Sequence, residues 1–329
     1  MAIYGDITPR TAAYAVDKML ERAQPMLNMA RFAVVTSIPQ GKTKVCKWRR
    51  YGRLAPSLTP LSEGVTPGAG NITSTDVTAT LEQYGQRVQM TDVIMDTHED
   101  PVLNEFAGSL GETAGQTQEM IVYNVLRAGT GLTYANGATR NAVTAVLSQT
   151  VCRRSIRSLR QQDAKPLTIM LNATDGVGTV PIPPCYVCFV HPNVEMDLQN
   201  LTNFPAGYVR VQNYGTWKPI SDAEIGSFEN IRFISSTLYT PFANAGGVLG
   251  TNLGGTATDV YASIVVGKDS YASVNLAGTG NGLTPIVVNP KPSDSDPMGQ
   301  RGHVAFKMYS VAAILNDAWM NRIEHAVTA

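Results

Sequence analysis

Val151-Cys152-Arg153-Arg154-Ser155-Ile156-Arg157-Ser158-Leu159-Arg160, then Tyr186-Val187-Cys188-Phe189-Val190 and His191-Pro192-Asn193, lie within the single segment from Thr150 to Leu201. Arg153, Arg157 and Arg160 recur at three- and four-residue spacing with Ile156 and Leu159 opposite them, which predicts an amphipathic helix with a basic face. Tyr186 to Val190 reads as an apolar strand, and a second short helix is expected from Val194 to Leu201. In an enzyme, a strand ending in a polar turn is where catalytic groups would cluster, yet this one delivers one histidine and a proline. The segment is built to hold a shape.

Working outward, the chain has 329 residues, 43% hydrophobic and 16% charged, with a formal net charge of zero. That length buries a sizeable core and allows about two domains. The charged fraction is below the usual quarter, as in surfaces that meet partners. Zero net charge excludes the overall basic footprint of a sequence-reading nucleic-acid binder, so any such contact is local. The four cysteines, Cys46, Cys152, Cys185 and Cys188, are too sparse for a disulfide framework, and reduced thiols are expected. Met1 to Asp6 lacks the basic start and apolar stretch of a signal peptide, and no uncharged apolar run is long enough to span a bilayer.

The first forty residues combine an amphipathic patch (Tyr14, Met19, Leu20, Met26, Leu27) with Pro9, Pro25 and Pro39, which predicts a short helix flanked by extended chain. Lys42, Lys44, Lys47, Arg49, Arg50 and Arg53 follow without an acidic residue among them, on what reads as a strand with one polar face. This is either a solvated face or a surface for an anionic partner. Pro56, Pro60, Gly64, Pro67, Gly68 and Gly70 then mark an exposed excursion, since proline removes ladder donors and glycine adds chain freedom. Thr73 to Met90 resumes β character, so a long two-stranded hairpin is expected, too thin to be stable without a support. Asp100-Pro101 opens the longest helical pattern, ending at Arg127 before Gly129. Gly108, Gly111 and Gly115 on one of its faces imply close backbone approach there. Short strands and loops fill Asn213 to Pro290, and a last strand is expected from Gly302.

No constellation for catalysis emerges. Cys185 and Cys188, with His191 nearby, lack the second ligand pair of a zinc site and would point to opposite faces of a strand. His98, His191, His303 and His325 stand in unrelated contexts. Gly278-Thr279-Gly280-Asn281-Gly282 lacks dinucleotide-loop spacing, and no nucleophile elbow occurs. Glu99/Asp100 and Asp294/Asp296 read as caps and turns. No metal or cofactor is expected.

The order of the parts carries a resemblance. Thr80-Leu81-Glu82-Gln83-Tyr84-Gly85 leads into Thr91-Asp92; Arg154 to Arg160 leads into Ala164-Lys165-Pro166; then come His191-Pro192-Asn193, Glu224-Ile225-Gly226-Ser227-Phe228-Glu229-Asn230-Ile231-Arg232-Phe233, and Asp296-Pro297-Met298-Gly299-Gln300-Arg301-Gly302. In this order the chain resembles the major capsid proteins of tailed bacteriophages with the Hong-Kong-ninety-seven-type fold, most closely the N-four-like family, over nearly its whole length.

The resemblance implies an α+β shell subunit: an N-terminal arm at 1–38, an extended loop at 39–92, a peripheral domain at 93–140 and 290–329 with the long helix as its spine, and an axial domain at 141–289. It implies a virion protein, assembled in the host bacterial cytoplasm as hexamers and pentamers into an icosahedral shell that starts as an expandable procapsid. Its implied partners are a portal, packaged double-stranded DNA bound without sequence specificity, and a decoration or cement protein. A charged scaffolding segment is not evident before the arm, so scaffolding is expected from a separate protein. The basic candidates for intersubunit or DNA contact are Lys42, Lys44, Lys47, Arg49, Arg50, Arg53, Arg153, Arg157 and Arg160. Three rivals remain: an encapsulin-like nanocompartment shell, a β-rich decoration or fibre protein, and an enzyme with an unrecognised site. The absence of internal repeats argues against a fibre.

Overall fold

The computed structural model describes residues 27–58, 60–61, 63–64, 66, 68–97, 102–167, 183–201, 207–214, 219–248, 257–278, 283–292 and 296–328. Most of the expected N-terminal arm, with Tyr14, Met19, Leu20 and Met26, lies outside these residues. So do His98, Glu99, Asp100, Pro101, Asp294 and most of the Gly278–Gly282 run.

The chain runs α1 (Met29–Phe32), β1 (Val34–Ile38), β2 (Val45–Tyr51), β3 (Ser74–Thr80), β4 (Glu82–Thr91), α2 (Asp92–Thr97), α3 (Val102–Arg127), β5 (Leu132–Tyr134) and α4 (Gln149–Gln161). It continues through β6 (Tyr186–Val190), α5 (Glu195–Gln199), β7 (Val209–Arg210), β8 (Glu224–Phe228), β9 (Ile231–Ser235), β10 (Tyr261–Val266), β11 (Tyr271–Leu276), β12 (Leu283–Val288), β13 (Arg301–Ile314) and β14 (Met320–His325). Thus the fold is α+β, with two main sheets and a separate hairpin. No helix among the described residues is long and apolar enough to cross a membrane.

β13 organises the smaller sheet. At 14 residues it spans roughly 46 Å, so it pairs with β4 along Arg301–Ser310, with β12 along His303–Met308 and with β11 along Ser310–Ile314. β1 adds to β11 in parallel. The larger sheet has the order β5-β14-β10-β6-β9-β8-β7. Its central strand β6 is buried at every position, which explains the unbroken apolar run: helices cover both faces. On one face α4 packs Val151, Cys152, Ile156 and Leu159 against Tyr186, Cys188, Val190, Phe233 and Val265. On the other, Val122, Tyr123 and Leu126 of α3 and Met29 and Phe32 of α1 meet Val187, Phe189, Ile234 and Ile264.

The 26-residue α3 is about 39 Å long and serves both sheets. Its first half lays Ala107, Leu110 and Ala114 on Val304, Phe306, Met308 and Leu283 of the smaller sheet, and its second half enters the larger one. Gly108, Gly111 and Gly115 are all buried.

One sequence expectation is corrected. The single β stretch Thr73–Met90 is two strands broken at Leu81, whose side chain is buried and whose N–H donates to the Lys44 carbonyl at 2.9 Å. β3 stays in the hairpin with β2, Arg49 opposite Asp76, while β4 departs to β13. The sheets also cut across the expected segments. β11 and β12, placed with the axial segment, belong to the β13 sheet, and β14, placed with the peripheral segment, joins β5 and β10. Long-range pairing ignores sequence order, so each sheet draws strands from both sides of residue 290.

Candidate functional site

The basic residues fall into two groups. On the hairpin, β2 turns Cys46 and Trp48 toward Ile38, Leu81 and Val274, so that its other face carries Lys47 and Arg49 outward. Asp76 sits opposite Arg49 and receives two bonds from it, at 2.8 and 3.1 Å, plus Lys47 Nζ at 2.7 Å. The hydrogen bonds from Arg49 and Lys47 hold the Asp76 carboxyl well below the usual range, and the same bond raises the Arg49 guanidinium. Lys42 and Lys44 precede the strand and are exposed, as is Arg50. The expected alternation therefore holds only from Val45 on, with Cys46 on the inward face.

The second group lies on α4. Its buried positions, Val151, Cys152, Ser155, Ile156 and Leu159, leave Arg153, Arg154, Arg157 and Arg160 on the exposed side. Arg153 Nε donates to Glu229 at 2.7 Å, and Glu229 is held there by a turn between β8 and β9 in which it adopts a φ of 51°. Arg153, Arg157, Arg160 and Glu229, with Ile156 and Gln161, line a shallow open cleft. Arg157 makes no ion pair among the described residues. The cleft thus carries three guanidiniums against one carboxylate, a surface suited to anionic groups.

One contact links the groups. Arg53, where the hairpin runs into its excursion, reaches Asp163 at 2.5 Å, three residues beyond Arg160. Asp163 has a φ of 53°, which turns the chain sharply after α4. Beyond Arg53 the excursion exposes Leu54, Leu58, Leu61 and Ile72, with Leu58 at 89% and Leu61 at 76% of full exposure. None of these four side chains joins a hydrophobic core cluster among the described residues. Sequence reading set Asp163 only against the arginines of its own helix and paired neither Asp76 nor Glu229 with a cation, because each is distant in sequence from the cation it meets; only the lack of acidic residues around Lys42–Arg53 hinted that partners would come from elsewhere.

The cysteines and histidines best placed for chemistry are enclosed or committed to turns. Cys185 lies in the core on one side of the larger sheet and Cys188 on the other, and burial pushes the Cys185 thiol up to about 11 and Cys188 well up. His191 accepts from the Asn193 N–H at 3.2 Å and caps the turn after β6. His325 meets the Ser263 hydroxyl at 2.8 Å, but both are fully buried, and burial lowers the imidazole. No substrate could reach that pair. Asp296 accepts from the Arg301 N–H at 2.8 Å, the turn role expected of it. No cluster of three metal-ligating side chains occurs among the described residues.

Residues 74–237 match the profile of a family described as phage capsid protein. No curated protein matches the chain significantly. Among solved structures, the capsid of Ralstonia phage GP4 superposes with a TM-score of 0.68 at 13% identity, covering 92% of each chain. The capsid of cyanophage Pam1 gives 0.63 at 11% identity, over 93% of this chain and 92% of that one. The SrpI encapsulin of Synechococcus elongatus gives 0.56 at 11% identity, over 91% and 87%. The fold is therefore that of phage capsid subunits, shared by an encapsulin. The family profile falls on the stretch from β3 through the arginine-bearing helix to the strands behind it, and on fold and family together the chain is a phage major capsid protein.

Proposed function

We propose that this subunit is of the Hong-Kong-ninety-seven type and the N-four-like group, and that it closes with further copies into hexamers, pentamers and an icosahedral head around double-stranded DNA. The observation that carries the assembly reading is the excursion at 54–72. It presents Leu54, Leu58, Leu61 and Ile72 with no core of its own, an arrangement unstable in water unless another surface covers it. A second copy is the natural cover, with 39–92 acting as the extended loop, 1–38 as the arm, the α3 region as the peripheral domain and the α4 region as the axial one. The hairpin at its root is stiffened by Trp48 packing and by the Asp76 clamp, so the loop is delivered as a preformed element.

The exposed basic groups Lys42, Lys44, Arg50, Arg157 and Arg160 are assigned to acidic groups of a neighbouring subunit or to phosphates of packaged DNA, contacts that weaken with salt. Portal, separate scaffolding and cement proteins complete the proposed partner set, with assembly in the host cytoplasm. The encapsulin-like reading is the second one, favoured by the superposition on the SrpI shell; the phage capsid profile over 74–237 weighs against it.

Expression of the chain alone and with its neighbouring genes, followed by negative-stain electron microscopy, tests the proposal. Closed shells or five- and six-membered rings are expected, and shell diameter together with DNA content separates a phage head from a small compartment. A stable monomer under every condition would sink the assembly reading.

A further inference from the structure

Glu119 lies within α3, and its side chain is fully buried. Its Oε1 accepts from the Met29 N–H at 2.7 Å and from the Tyr239 hydroxyl at 2.8 Å, while Oε2 has no hydrogen-bond partner. Helix α1 is gripped at two further points: the Tyr271 hydroxyl donates to the Met29 carbonyl at 2.6 Å, and the Ser221 hydroxyl to Asn28 Oδ1 at 3.4 Å. Phe32 and Met29 then enter the core beside Tyr239 and Phe189. The titratable groups facing Glu119 are Tyr239, from the segment after β9, and Tyr271, from β11, with Tyr123 of α3 stacked on Tyr239. None is a cation, and Arg31 of α1 is exposed. The structure spends a buried carboxylate on fastening α1: the Asn28 and Ala30 N–H groups also approach it, yet Oε2 makes no hydrogen bond among the described residues.

We propose that Glu119 is a proton-operated latch: α1 docks tightly on α3 while Glu119 is protonated and loosens when it ionises. An ionised carboxylate with one bare oxygen in an apolar core is costly, and undocking α1 opens it to water. Burial accordingly pushes this carboxyl from an ordinary 4.5 up to about 7. The docked state therefore binds more protons than the undocked one. Its extra stability is complete below about 4.5, falls as pH rises from there, and is gone above about 7. Over that window the docking equilibrium can move by roughly two orders of magnitude. The latch holds whether or not the subunit closes into shells.

Hydrogen exchange on the full-length, unassembled chain tests this independently of assembly. Protection of peptides covering 28–33 is measured between about pH 5 and about pH 8.5, corrected for intrinsic exchange and referred to the buried strand β6. In the wild type, protection of 28–33 relative to β6 is expected to fall at least about tenfold across this range. Glu119→Gln, which cannot ionise, should hold it constant. Parallel profiles for wild type and variant, or wild-type protection lost toward acid, would overturn the latch. Should Glu119→Gln not fold, Tyr239→Phe removes one bond to the ionised form and must move the transition to higher pH; an unmoved transition is equally fatal.

Discussion

Glu324 is fully buried between arginines: Arg140 grips it with two bonds at 2.7 and 2.8 Å, and Arg322 lies 2.9 Å away. Arg322 also donates to the carbonyls of Arg127 and Gly129, closing the C-terminal end of α3, where cations suit the helix dipole. Arg127 and Arg140 both stand 3.5 Å from the centre of the Phe242 ring, one over each face. One carboxylate thus faces two guanidiniums, with a third close by, at the corner where α3, β14 and the segment before α4 meet. Glu324→Gln leaves the buried Arg322 and the half-buried Arg140 unopposed, and a loss of about 3 kcal/mol is expected in urea unfolding of the unassembled chain. Asp76 is the opposite case, an exposed carboxylate with two cations. Its depressed carboxyl means that the clamp's contribution is present above the ordinary aspartate range and is lost only as pH falls through the lower folded-state value. Asp76→Asn should speed amide exchange in β2 and β3 without a measurable change in global Tm.

At the scale of elements, the long helix, the amphipathic α4 and the apolar β6 were legible because each writes its period or its composition into consecutive residues. The change of partner at Leu81 was not, since β3 and β4 are both strands and differ only in where they go. Gly85 shows what pairing demands: a Cβ there would lie 2.7 Å from the Phe306 carbonyl oxygen on β13. Gly85→Ala is expected to cost about 1–3 kcal/mol and to increase exchange along β4 before β6. Leu110, buried between α3 and the smaller sheet, should cost about 2–5 kcal/mol when cut to alanine, read as a lower urea midpoint with an unchanged slope.

For the whole molecule, the core and the proposed assembly surface are separable. Leu58→Ser with Leu61→Ser alters side chains that touch no core, so folding stability should stay within about 0.5 kcal/mol, while shell yield by electron microscopy collapses. Retained yield would show that the excursion is not a contact surface. Composition, zero net charge, missing chemical motifs and the order of hairpin, helix and strands were set by the sequence alone, because these are local or summed properties. Where the acidic partners of the basic groups lie, that α3 is shared by two sheets, that β14 crosses to the larger sheet, and that Glu119 is buried against Met29 were decided only in three dimensions. Those features join residues about 30 to 190 positions apart, and such pairings are selected by the packing of the whole core, which no local period records.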